Sequence, residues 1–210
     1  VSESNILGKV TCFITREKEM KTEILLIQHP NAGIQFPAGT VEENEDFKQA
    51  ALREAFEETG LDHFTACNYI GKQEFHLSGK QIIFQNAKVY SRPDPASSQW
   101  AEIRRGITVQ QERRQGGFVQ ISYIEGDQYP EPNYITYQIT GWVEEDHLAS
   151  KITRKYYHLR SNCTLNDWEQ EADHHLFKLF WSPLDKLPVI VPPQREWLDY
   201  VLTELNYSFL

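Results

Sequence analysis

The chain is short of everything that would staple it, anchor it or coat it with positive charge. Of its 210 residues only three are cysteine: Cys12, Cys67 and Cys163. The number is odd, the spacing is wide and no CxxC pair occurs. This argues against a disulfide framework or a cysteine zinc site and predicts reduced, partly buried thiols in a cytoplasmic protein. No apolar run approaches the ~20 residues of a membrane span, so no membrane partner is expected. The opening VSESNILGKVTCFITREKE lacks a basic start followed by an apolar stretch, and no signal peptide is expected. Basic charge is also scarce, with 21 Lys and Arg against 30 Asp and Glu and a formal net charge of −9. A broad positive field is therefore missing, and nucleic acid is not an expected partner. An acidic protein that handles an anionic substrate needs local compensation, from a metal or a few placed cations.

What is present suits a folded protein: 40% hydrophobic and 12% aromatic residues, with no internal repeat. The length allows one core, or a core with a large insertion. Residues 9–16 and 23–28 read as strands joined by a charged turn, Glu17 to Lys21. Ile34-Gln35-Phe36-Pro37 leads into a turn at Ala38-Gly39. Residues 46–59 read as a helix closed by Gly60 in a left-handed cap, with Leu61 as its apolar contact. Residues 64–92 return to strands, including 81–90 as one run. Residues 93–100 form a Pro/Ser connector. Residues 107–145 suggest two or three strands broken at Gly116-Gly117 and at 125–133, 144–153 a short helix, and 161–173 a polar stretch. A strand at 175–181 and an amphipathic helix at 193–205 complete the chain.

The helix at 46–59 carries the chemistry. Phe47, Ala50, Ala51, Glu54, Ala55 and Glu58 fall on one face at helical spacing. Glu54, Glu57 and Glu58, at i, i+3 and i+4, lie within an arc of roughly 100°. Carboxylates on a face that ought to turn inward repel one another and lose hydration, a cost of several kcal/mol, on the order of the burial penalties for polar groups. A hard divalent cation relieves this, because Mg²⁺ takes oxygen ligands and bridges carboxylates to phosphates. An exposed acidic face is the bland alternative, and the flanking residues decide against it.

Gly39, Glu45, Arg53, Glu54, Glu57, Glu58, Gly60 and Leu61 stand as G-x5-E-x7-R-E-x-x-E-E-x-G-L. This resembles the complete Nudix box, with Ala55 where the family's first bulky aliphatic stands. The preceding Phe36-Pro37-Ala38 resembles the usual lead into it. The resemblance implies an α/β fold, the Nudix-like α/β/α sandwich with a mixed sheet, here with a β-rich insertion. It implies a loop–helix–loop that holds Mg²⁺ or Mn²⁺ against a diphosphate. Glu57 and Glu58 match the main metal ligands. Glu54 matches a third ligand or an activator of water, and the carbonyl of Ala38 adds a further ligand. Arg53 matches an anchoring residue with Glu45 as partner; with Gly39 and Gly60 these two brace the motif. The implied activity is hydrolysis of a diphosphate linkage in a nucleoside diphosphate derivative, a small-molecule nucleotide substrate. The alternative is a Nudix module that senses a nucleotide without turnover. An isomerase of isoprenoid diphosphates ranks below both.

Some relatives place the general base outside the box. Glu171 is the leading candidate here, ahead of Asp173, Glu169 and Glu125. The downstream signatures of the NADH-cleaving, ADP-ribose and dinucleoside-polyphosphate groups do not stand at their usual offsets, so the subfamily is unassigned. The segment Trp181 to Leu187 resembles the strand and turn that close the Nudix sheet. The chain then reads as one domain, 1–210, with a core at about 6–92 and 174–205 and an insertion at about 93–173 that caps the site or serves a homodimer contact. That insertion holds Arg104, Arg105, Arg113, Arg114, Arg154, Lys155 and Arg160, which read first as a solvated hairpin surface. Tyr156 and Tyr157 offer a second reading, as stacking partners for a base. His158, His174 and His175 show no zinc spacing.

Overall fold

A charged turn between two apolar runs makes the first hairpin. Strands β1 (Ile6–Lys18) and β2 (Lys21–His29) pair antiparallel, and the two linking residues, Glu19 and Met20, both take positive φ, 50° and 59°. Positive φ at both central positions matches the right-handed twist of the strands. The protein is described here by a computed structural model, covering residues 5–128, 131–172 and 174–207. The short strands β3 (Gly33–Gln35) and β4 (Ala38–Thr40) follow, separated at Phe36-Pro37, where proline has no N–H for a ladder.

Helix α1 (Phe47–Thr59) begins at Asp46. The Asp46 carboxylate accepts from the N–H groups of Lys48 and Gln49, while the Gln49 side chain accepts from the N–H of Asp46. This reciprocal cap satisfies donors that the first helical turn leaves open. The helix ends at Gly60, whose φ of 73° is the left-handed cap expected from the sequence, and Leu61 packs on the core beside it.

The chain then runs through β5 (Ala66–His76), β6 (Lys80–Ile83), β7 (Ala87–Tyr90), β8 (Gln99–Ile103), β9 (Thr108–Gln115), β10 (Phe118–Gly126), β11 (Ile135–Glu144) and β12 (Leu148–Ala149). It closes with β13 (Lys151–Arg160), β14 (Asp167–Ala172), β15 (His175–Pro183) and α2 (Gln194–Glu204). Contacts divide it into two compact units, Val1–Gly8 with Glu74–Thr153, and Lys9–Gln73 with Arg154–Leu210.

The second unit carries the helices. Its sheet has the order β14-β15-β2-β1-β13-β5, with β3 on β2 and β4 on β1. Alternation along the strands sorts side chains to two faces. Val10, Cys12 and Ile14 of β1 join Leu25, Ile27, Tyr157 and Leu159 against Ala50, Ala51 and Ala55 of α1. Phe13, Ile24, Leu26 and Tyr156 pack on the other side against Trp197, Leu198, Val201 and Leu202 of α2. A helix on each face of the sheet is the sandwich the sequence implied.

The first unit is all β: a seven-stranded sheet, β12-β6-β9-β10-β11-β7-β8, packed around Val89, Val119, Ile121 and Val143. Gly116 and Gly117, at φ 59° and 81°, make the β9–β10 turn.

Three sequence expectations change here. Residues 81–90 form two strands, because the chain breaks at Phe84–Asn86, where the Asn86 side chain accepts from the N–H of Arg105. Residues 144–153 are not a helix. A single tight turn at Glu145–His147 is followed by Leu148 and Ala149, which pair with Ile83 and Ile82. The β-rich unit runs Glu74–Thr153, whereas the sequence put its bounds at about 93–173. The difference arises at β13 and β14, which belong to the sheet of the box helix, and at β6 and β7, which belong to the seven-stranded sheet. The basic run from Arg154 to Arg160 is accordingly no hairpin surface, and Tyr156, fully buried against Phe13 and Tyr200, stacks on protein and not on a base.

Candidate active site

Arg53 is the hub of the acidic helix. Its Nε and Nη2 donate to the two carboxylate oxygens of Glu45, each at 2.9 Å, and Nη2 also donates to the carbonyl of Thr40 at 3.0 Å. Its Nη1 donates to Glu54 Oε1 at 2.9 Å and to Glu57 Oε2 at 3.0 Å. The paired Glu45–Arg53 geometry is the strong form of this ion pair. Its hydrogen bonds hold the Glu45 carboxyl below the usual carboxylate range, and Glu45 raises the guanidinium above its own. One side chain thus ties the loop after β4 to α1.

The strand before the helix binds the other acids. The N–H of Thr40 donates to Glu54 Oε1 at 3.1 Å, and that of Ala38 to Glu58 Oε2 at 2.8 Å. Gly39 between them has no room for a side chain: a Cβ there would meet the Glu54 carboxylate. The structure therefore brings Ala38, Gly39, Glu45, Arg53, Glu54, Glu57 and Glu58 into one assembly. Glu57 is the exposed acid, with about half of its side chain in solvent, whereas Glu54 is mostly covered.

Hard carboxylate oxygens on one helical face suit Mg²⁺ or Mn²⁺ by donor type. The acids are bonded within the protein, Glu54 and Glu57 to the same nitrogen of Arg53 and Glu58 to the Ala38 N–H. Among the described residues, the ligand group whose atoms all lie within 4.8 Å of one another is a different one, Glu144, Asp146 and His147.

Glu171 is exposed on β14. Its neighbours Trp168 and Gln170 reach the carbonyls of Thr59 and Glu57 at the end of α1. Alternation turns Glu171 to the opposite side of the sheet from these two. Glu169 shares its parity, Glu125 stands on β10, and Asp173 lies outside the described residues. Cys12, Cys67 and Cys163 are free and at least partly buried. No helix among the described residues is long and apolar enough to cross a membrane.

The sequence did not single out Lys9 on β1. It stands opposite Thr40 in the β1–β4 ladder. Burial, and then the charge of Arg154, lower its pKa to about 8, with Glu54 acting the other way. A lone lysine in a strand of mixed character carried no signal.

The family model described as NUDIX domain matches residues 7–104. Residues 7–104 form a Nudix domain. The Nudix segment contains β1 to β8, including the whole acidic helix. Three solved structures align with the chain at low identity. The NUDIX domain of Shewanella oneidensis NrtR, complexed with ADP ribose, is 11% identical over 97% of this chain and 91% of its own, with a TM-score of 0.48. Ap4A hydrolase of C. elegans is 14% identical over 86% and 82%, with a TM-score of 0.35. A Listeria monocytogenes protein described as a NUDIX hydrolase is 12% identical over 97% and 98%, with a TM-score of 0.42. No curated protein matches the chain.

Proposed function

We propose that this Nudix domain is a divalent-metal-dependent pyrophosphohydrolase that cleaves a diphosphate linkage in a nucleotide derivative. The observation that carries the reading is the complete acid set of the box, braced by Arg53 against Glu45 and against the strand Ala38–Thr40. Glu57 and Glu58 would hold the cation, with Glu54 as third ligand and the carbonyl of Ala38 as a further one. Bound there, Mg²⁺ or Mn²⁺ supplies charge neutralisation and a water of lowered pKa.

The protein's own part is positioning. The Arg53 fork fixes the angle at which the helix presents its carboxylates, and rigid support of this kind is what a ligand set requires. Glu57, half exposed and bonded to Arg53, would be free to turn to a bound cation. Glu54, where it serves as the activator of water instead of as third ligand, would accept the proton of the attacking water.

The test is release of phosphate or mononucleotide with Mg²⁺ across a panel that includes ADP-ribose and Ap4A. Turnover that depends on metal and on Glu57 supports the reading. A panel ligand that raises the melting temperature and is never cleaved would instead make the chain a nucleotide-sensing module.

A further inference from the structure

The second unit holds a cavity of about 440 Å³ where β1 and β13 end. Its wall is made by the last residues of both strands, by the segment 161–164 that leaves β13, and by Thr65 and Leu205. Small-molecule sites have volumes of roughly 300–1,000 Å³, and this one falls among them. The box meets β1 at its other end, where Lys9 stands opposite Thr40. From Lys9 to Thr15 the strand runs roughly 20 Å at the usual rise per residue. The cavity is therefore not part of the acidic site.

Arg16 fixes one side of it. This buried side chain donates through Nε to Glu23 at 2.8 Å, and through Nη1 to the carbonyls of Cys163 and Leu165 at 3.0 and 2.5 Å. Its guanidinium carbon lies 4.4 Å from the ring centroid of Trp181. On the other side, the N–H of Thr65 donates to the carbonyl of Arg160 at 2.8 Å, and the N–H of Cys163 to Ser161 Oγ at 3.1 Å. The segment beyond β13 is thus held to the sheet, and the cavity is preformed. Little ordering cost falls on a ligand that enters it.

The groups left over on the wall are donors. The Arg160 guanidinium is exposed, and among the described residues it takes part in no hydrogen bond, ion pair or ring contact. The Lys18 ammonium donates to the neutral Asn166 Oδ1 at 2.7 Å, which leaves two of its N–H groups open. The one acid among the described wall residues is Glu17, which already accepts from Thr22 Oγ1 at 2.8 Å. Setting Glu23 against Arg16 and Glu17 against Lys18 still leaves Arg160 uncompensated, in a chain whose net charge is −9. The carbonyls at the end of α2 beside Leu205 accept from the N–H groups of Asn206 and Tyr207, so they are not bare toward the cavity. A guanidinium and an ammonium facing one preformed space suit an acceptor-rich group, and the charge selects an oxyanion.

We propose that this cavity is a second ligand site, separate from the box, for a small molecule that bears a phosphate or carboxylate group held by Arg160 and Lys18. The inference does not depend on the hydrolase reading. The test is a titration of inorganic phosphate and, separately, of succinate into the metal-free protein, followed by backbone amide shifts. Saturable shifts at Thr65 and at residues 161–164 are expected with at least one of the two anions, and the tighter one names the group. The amides of Ala38 and Thr40 report on the box and should stay in place. Loss of a charged hydrogen bond predicts a Kd raised about 10-fold in Arg160→Gln, a smaller rise in Lys18→Gln, and partial recovery in Arg160→Lys. Arg160 and Lys18 are exposed at strand ends, so these variants keep the fold. No saturable shift with either anion, shifts confined to Ala38 and Thr40, or unchanged affinity in both glutamine variants would overturn the proposal.

Discussion

A Cβ on Gly39 would lie 1.9 Å from Cδ and Oε1 of Glu54 and 2.2 Å from its Oε2. Glycine is required there for space, since the carboxylate lies against the strand backbone and accepts from the Thr40 N–H. Gly39→Ala should push Glu54 out of this position. We expect a stability cost of about 1–3 kcal/mol, as for other overpacked sites, and a larger proportional loss of metal-dependent turnover. Unfolding midpoints and rates measured on one preparation separate the two effects. Wild-type turnover in a folded Gly39→Ala protein would show that the seat of Glu54 has no bearing on the reaction.

The Arg53–Glu45 fork makes a second expectation. Arg53→Lys keeps the charge and loses the paired geometry. Partners that orient metal ligands are typically worth about 10–100-fold in metal affinity or activity, and a loss in that range is expected for Arg53→Lys and for Glu45→Gln. Mn²⁺ titration reads it directly. Unchanged Mn²⁺ affinity in both variants would mean that the fork supports only the fold.

Much of this site was legible before any coordinates, because its parts are short-range. Gly39 to Leu61 fixes a strand end, a loop, a helix and a cap within 23 residues, and each spacing follows from helical geometry and turn chemistry. The strand β13 was not legible. KITRKYYHLR mixes cations with aromatics, a composition that reads as surface. In the fold its cations are covered by rings: Arg154 lies on Trp197, and Lys155 lies 4.1 Å from the Phe47 centroid. Those partners are distant in sequence, so no local pattern announces them. The polar strand β14 escaped for a similar reason, since Trp168 and Gln170 are satisfied by carbonyls of α1 more than a hundred residues earlier.

The acids divide by expected effect. Glu57→Gln and Glu58→Gln should each lose most of the turnover while the fold persists, because each removes a charged ligand. Glu171→Gln tests the base outside the box. Since Glu171 faces away from the side on which Trp168 and Gln170 meet α1, its loss should change kcat within about 3-fold, against the ~100-fold or more that removal of a general base costs. A large loss in Glu171→Gln alone would assign the base to β14.

His158 supplies the pH dependence. It is fully buried, its Nε2 lies 2.8 Å from Thr15 Oγ1, and its Nδ1 has no partner. Burial lowers its pKa, the charge of Arg160 adds to this, and Glu204 opposes it. The folded state therefore holds a neutral imidazole where the unfolded chain takes up a proton near the ordinary value of about 6.5. Below that value the unfolded state binds more protons than the folded one, and stability falls with falling pH. Above it the residue's contribution is fully present. The depressed carboxyl of Glu45 acts in the same direction, but in the acid range of carboxylates, below this window. Urea midpoints at pH 7.5 and 5.5 should therefore differ more in the wild type than in His158→Gln, which cannot titrate and retains a polar group to face Thr15. Equal pH dependence in the two proteins would mean that the destabilising proton is taken up elsewhere.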